Sequence, residues 1–183
     1  MYKFYHLDAK DRSEEAKRLK VLLKLAKGEN IILVTSIEAV MRKYIPKEIL
    51  LENIYTYKIG DVINLEKLSE TLVNLGYERV SKIEGFGQFS IRGGIVDIFS
   101  LEYNNPIRME LFDDEIDSIR TFDVFSQKSI DKIKKVVITP SREFIYPEDT
   151  TSAVEKIKAE TNKYTDDDVL KNIENISKHI ESK

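Results

Sequence analysis

The chain has 183 residues, 42% of them hydrophobic and 33% charged, with a formal net charge of −3. This is a globular composition with room for one large or two small domains, and it lacks the basic excess of a dedicated nucleic-acid-binding domain. Cysteine is absent and the two histidines, His6 and His179, stand near opposite ends, so disulfides, thiolate chemistry and a histidine-built metal site are not expected.

At the amino end, MYKFYHLDAKDR lacks the apolar core of a signal peptide. No later apolar run approaches the roughly 20 residues of a membrane span, so a cytoplasmic protein is expected. Ser13 ahead of Glu14 and Glu15 predicts a capped helix start. Leu19, Leu22, Leu23 and Ala26 follow at i, i+3, i+4 and i+7, one buried helical face, with Gly28 as the stop. Ile31-Ile32-Leu33-Val34 is a continuous apolar run, expected to be a strand buried on both faces. Ser36 caps a second predicted helix through about Tyr44, ended by Pro46. Residues 1–57 thus resemble a piece of an α/β domain too short to be whole, and the chain is expected to be a segment of a longer protein.

A strand is predicted from Tyr55 to Ile59, then a helix capped by Asn64 that carries Leu65, Leu68, Leu72 and Leu75 and closes at Gly76. Gln88–Phe99, Ile107–Phe112 and Ile116–Phe122 read as strands, with Asn104-Asn105-Pro106 and Asp113-Asp114 as turns. Val136–Thr139 is a further short strand. The expected fold class is α+β, a small antiparallel sheet with one covering helix over residues 58–145. After Pro147 two helices are predicted, 151–160 and 166–180, the second with an apolar stripe of Val169, Ile173, Ile176 and Ile180.

The motifs that carry chemistry are missing or weak. No GxxxxGK[ST] phosphate loop occurs, and Gly85-Phe86-Gly87 lacks the third glycine of a dinucleotide fingerprint. Asp113-Asp114-Glu115 superficially resembles magnesium-holding carboxylates, but without a phosphate loop it reads as a solvated hairpin turn. Ser90, Ser100 and Ser129 have no nucleophile-elbow context, and Lys132, Lys134 and Lys135 read as a solvated basic face. Catalytic, cofactor and metal residues are therefore not assigned.

Four residues are different in kind: Arg79, Arg92, Arg108 and Glu110. Arg108 and Glu110 are two apart and point to one face of their strand, leaving Ile107, Met109 and Leu111 for the core. Arg92 precedes Gly93-Gly94, where a hairpin or bulge throws its side chain outward. Such a face offers planar donors to a partner's carboxylates. The plain alternative is solvated arginines in local salt bridges worth roughly 0–1 kcal/mol.

The residues Gly76-Tyr77, Phe89, Arg92-Gly93-Gly94-Ile95, Asp97-Ile98-Phe99, Arg108, Glu110, Phe112-Asp113-Asp114-Glu115-Ile116, Ile119-Arg120 and Gln127-Lys128-Ser129 carry a resemblance. Over about residues 58–145 the chain resembles the UvrB-interaction domain, a module shared by the excinuclease subunit UvrB and the bacterial transcription-repair coupling factors (Mfd). Gly93-Gly94 matches the coupling factors, whereas UvrB typically carries Gly-Asp there. Two positions depart: Ser90 stands where UvrB has an arginine, and Ser100 replaces a usual proline.

The resemblance implies a non-catalytic amino-terminal segment of a coupling factor that binds UvrA, through Arg79, Arg92, Arg108 and Glu110 with Phe89 as an apolar anchor. Residues 1–57 would be the tail of domain 1a, 58–145 the UvrA-binding domain 2, and 146–183 the helical start of domain 1b. No cofactor is implied for this segment. ATP and magnesium would belong to motor domains elsewhere in the longer protein, which also engages RNA polymerase and DNA. The alternatives are a truncated UvrB-like subunit and a direct DNA-binding module.

Overall fold

The computed structural model describes residues 13–145, 154–155, 157–159, 170–171, 173–175 and 177. The chain divides into two compact units, one of Asp11–Ile145 and one of Met1–Lys10 with Tyr146–Lys183. The described residues of the second unit are helical, with Val154 and Ser177 buried. Most of the predicted 151–160 and 166–180 helices, including Val169, Ile176 and Ile180 of the apolar stripe, lies outside the described residues.

The first helix, α1 (Ser13–Ala26), buries Leu19, Leu23 and Ala26 as its spacing dictates. They pack with Leu50 of α3 (Lys47–Glu52) and with Leu101 in a small core of their own. Arg18 donates from Nε to Glu143 Oε1 at 2.7 Å, and Lys27 pairs with Glu102 at 2.8 Å, tying α1 to later parts of the chain.

Between these helices two expectations fail. Ile31–Val34 is not a strand, and Ile32 is 96% exposed. A strand exists only where a neighbour pairs its N–H and C=O groups, and no described strand runs beside this segment. Likewise α2 (Ile37–Val40) is four residues long, although Ser36 caps it as expected by accepting from the Ala39 N–H. It buries no side chain, so nothing offsets the entropy of extending it to Tyr44.

From residue 55 to residue 145 the fold is α+β, as the sequence indicated. Strand β1 (Tyr55–Lys58) pairs antiparallel with β8 (Lys135–Ile138) in a two-stranded ribbon. A six-stranded sheet has the order β2 (Glu78–Arg79), β3 (Gln88–Arg92), β4 (Ile95–Ile98), β5 (Ile107–Phe112), β6 (Glu115–Phe122) and β7 (Ser129–Lys132). Its pairings are antiparallel except β2–β3, which is parallel.

Helix α4 (Leu65–Asn74) covers one face of this sheet. Asn64 Oδ1 accepts from the Lys67 N–H at 2.9 Å and closes its first turn. At the other end Gly76 takes φ +85°, and the Gly76 and Tyr77 N–H groups donate to the Val73 and Leu72 carbonyls. This double bond pattern ends the helix and turns Tyr77 inward. The core then contains Leu68, Leu72, Leu75 and Tyr77 against Phe89, Val96, Ile98, Ile107, Met109, Ile116 and Ile119, with Val136 and Ile138 added by the ribbon. Each buried leucine contributes roughly 1.5–3 kcal/mol of transfer free energy.

The arginine face of the sheet

Cross-strand register decides which side chains share a face. Ser90, Asp97, Arg108, Arg120 and Lys132 are successive partners on β3 to β7, so they form one row across the sheet. Arg92, Ile95, Glu110 and Ser118 form the next row on the same face. The opposite face carries Ile91, Val96, Met109 and Ile119 into the core beneath α4.

At the centre of the polar face lies Asp97, only 2% exposed. Arg108 grips it with two bonds, Nε to Oδ1 at 2.7 Å and a terminal nitrogen to Oδ2 at 2.8 Å. Arg92 adds one bond to Oδ2 at 2.8 Å, and its side chain remains 51% exposed. Two arginines therefore share one buried carboxylate. Bidentate, charge-assisted pairs of this kind are short and directional. The bond to Asp97 raises the Arg108 pKa above its ordinary value, which outweighs the opposing effect of burial.

Arg108 is braced from two further sides. Its guanidinium lies 4.4 Å from the ring centre of Phe122, a cation–π contact. A terminal nitrogen also donates to Gln127 Oε1 at 3.1 Å. Gln127 adopts φ +58° in the loop after β6, and its amide nitrogen donates to the Val124 carbonyl at 2.7 Å. That loop is closed by Asp123, whose carboxylate accepts from the Ser126 N–H and hydroxyl, each at 2.7 Å. These bonds hold the Asp123 pKa below its usual value, the backbone bond from Ser126 first among them. Glu110 is also engaged: it pairs with Arg120 and accepts from the Ser118 hydroxyl.

The residues singled out in the sequence thus separate. Arg92, Arg108 and Glu110 come together on one face. Arg79 does not join them: its register partner is Phe89, which places it on the α4 side of the edge strand β2. There it lines a shallow groove with Leu65, Glu66, Ser69, Glu70 and Ile91. Phe89 requires a correction. It is 0% exposed and belongs to the core, so it is unavailable as an anchor for a partner. The signal was present in the sequence, since Phe89 and Arg92 are three apart and a strand sends such positions to opposite faces. The aromatic that β5 does expose on the polar face is Phe112, 82% exposed, in a row with Glu115 and Val62. Asp97, Phe122 and Gln127 were missed. Their roles depend on pairings between strands that no local pattern contains.

The two departures also find places. Ser90 is buried beside Asp97 and donates to the Ser81 carbonyl at 3.2 Å, so the cationic partners of Asp97 are Arg92 and Arg108. Ser100 is buried and donates to the Val137 carbonyl at 3.3 Å. Asp113 takes φ +59° at the β5–β6 turn, where Asp113-Asp114-Glu115 forms a hairpin tip. Among the described residues no group of three or more acidic or histidine side chains is arranged to hold a metal ion, and no helix is long and apolar enough to cross a membrane.

Residues 56–144, which hold α4, the whole six-stranded sheet and all of the ribbon but Tyr55, match the family described as the UvrB interaction domain. The chain is also similar to the transcription-repair-coupling factor of Bacillus subtilis, 41% identical over 143 residues, or 78% of this chain and 12% of that protein. This chain carries a UvrB interaction domain of the coupling-factor kind. The coupling factor of Staphylococcus aureus strain MRSA252 is 39% identical over 137 residues, covering 75% of this chain and 12% of the relative. That of Staphylococcus epidermidis strain RP62A is 34% identical over 160 residues, covering 87% and 14%. The chain therefore spans about an eighth of the length of these relatives. Within it no phosphate loop occurs.

Proposed function

We propose that this chain is a non-catalytic, UvrA-binding part of a transcription-repair coupling factor, recruiting nucleotide excision repair to stalled RNA polymerase. The observation that carries the reading is the face of Arg92, Arg108 and Glu110 on a UvrB interaction domain. Its two central rows hold Arg92, Arg108, Arg120 and Lys132 against Asp97 and Glu110, an excess of cations on a chain whose net charge is −3. Local positive charge with rigid planar donors suits an acidic protein surface. Arginine is enriched among interface residues whose truncation costs about 2 kcal/mol or more.

On this reading residues 58–145 bind UvrA, 1–57 and 146–183 belong to flanking domains, and Arg79 meets the same partner only around the β2 edge. The longer protein would act in the cytoplasm and supply the ATP-driven motor and the contacts to RNA polymerase and DNA. The test is calorimetry of the chain with purified UvrA. Saturable binding that Arg92→Ala weakens at least tenfold is expected. Absent binding, or steeply salt-dependent affinity for DNA instead, overturns the proposal.

A further inference from the structure

Resting on that reading, we propose that Asp97 is a positioning residue that divides the labour between the two arginines. Arg108 is the braced one. Three hydrogen bonds and the Phe122 ring hold it, and its side chain is 16% exposed. Arg92 is the presented one. A single bond to Asp97 fixes its direction, and the other N–H groups of a half-exposed guanidinium remain available.

A carboxylate of the partner is therefore read by Arg92, and Arg108 serves by holding Asp97 in place. Glu110 has a comparable supporting place, since Arg120 and Ser118 already engage it. An arginine held before docking loses less side-chain freedom on binding, which is the general advantage of preorganisation.

The charge balance gives the proposal an unusual sign. Asp97→Asn removes a negative charge from a face that meets an acidic partner, so charge alone predicts tighter binding. Positioning predicts the reverse: binding at least tenfold weaker, with Arg92→Ala/Asp97→Asn no weaker than Arg92→Ala alone. Calorimetry against purified UvrA on the complete 183-residue chain reads both. Losses that add, or an Asp97→Asn variant that binds as well as the parent while Arg92→Ala is weak, overturn the positioning role and leave the face intact. A neutral Arg92→Ala instead removes the face itself. Should Asp97→Asn fail to fold, nitrogen-resolved NMR of the unaltered protein still decides. The Arg108 Nε–H, bonded to Asp97 Oδ1, is expected to exchange at least tenfold more slowly than that of Arg92. Equal exchange rates overturn the proposal.

Discussion

Gly94 and Leu111 meet so closely that a Cβ built on Gly94 would lie 2.9 Å from the Leu111 carbonyl oxygen. The contact forms where the Leu111 N–H donates to the Gly94 carbonyl at 2.7 Å, beside an irregularity in the β5–β6 register at Glu110/Leu111. The obstacle is backbone, which cannot swing aside as a side chain would. Gly94→Ala is expected to destabilise the domain by about 1–3 kcal/mol, the range of overpacked sites. Gly28→Ala is the control, since no atom lies within 4 Å and only its φ of +72° is strained, for which about 1 kcal/mol is expected. Urea denaturation checks both, and a Gly94→Ala loss smaller than that of Gly28→Ala would contradict the close approach.

Phe89 offers a way to separate core from surface. Truncation to alanine is expected to remove about 3–5 kcal/mol of stability, as for buried aromatics generally. Phe89→Leu keeps an apolar side chain in the cavity and, on the proposed function, should retain UvrA affinity within about twofold, a margin near 0.4 kcal/mol. A folded Phe89→Leu variant with tenfold weaker binding would return Phe89 to the interface.

Tyr77 ties stability to alkaline pH. Its hydroxyl donates to the Thr139 carbonyl at 2.8 Å, and burial pushes the phenol pKa well above its usual value. A group whose folded pKa is raised adds stability that is complete below the unfolded pKa, about 10 for tyrosine, and is lost as pH climbs above it. At pH 7 Tyr77→Phe should cost on the order of 1 kcal/mol, the net value of one hydrogen bond. Above pH 10 the gap between parent and variant should narrow, because only the parent must release that proton on unfolding. Denaturant titrations at several pH values follow the gap, and a constant difference would remove Tyr77 from the alkaline response.

Much of the fold was legible because it rests on local chemistry. Asn64 and Gly76 bracket α4 through backbone bonds that nearby residues complete, and Leu68, Leu72 and Leu75 fall on one face by helical period. The alternation of Ile107, Arg108, Met109 and Glu110 fixed which side of β5 is wet. Strands β2 and β7 were missed because Glu78-Arg79 is two residues long and Ser129–Lys132 is exposed throughout, so neither has an apolar pattern. The apolar run Ile31–Val34 failed in the opposite sense: it has the composition of a buried strand and no described neighbour to pair with.

For the site, the residue types could be named from the chain alone: planar cations beside a glycine hairpin, and an arginine and a glutamate two apart on a strand. Periodicity acts within a strand, so it determined that Arg108 and Glu110 share a face. Register acts between strands, and only the tertiary structure could decide it. Pairing of β3, β4, β5 and β6 brought Asp97 under two arginines and set Phe122 beside one of them, the loop after β6 added Gln127, and the β2–β3 pairing carried Arg79 to the opposite side. A local pattern lists the charges; the buried Asp97 carboxylate, shared by two arginines, leaves Arg108 largely covered and Arg92 half exposed.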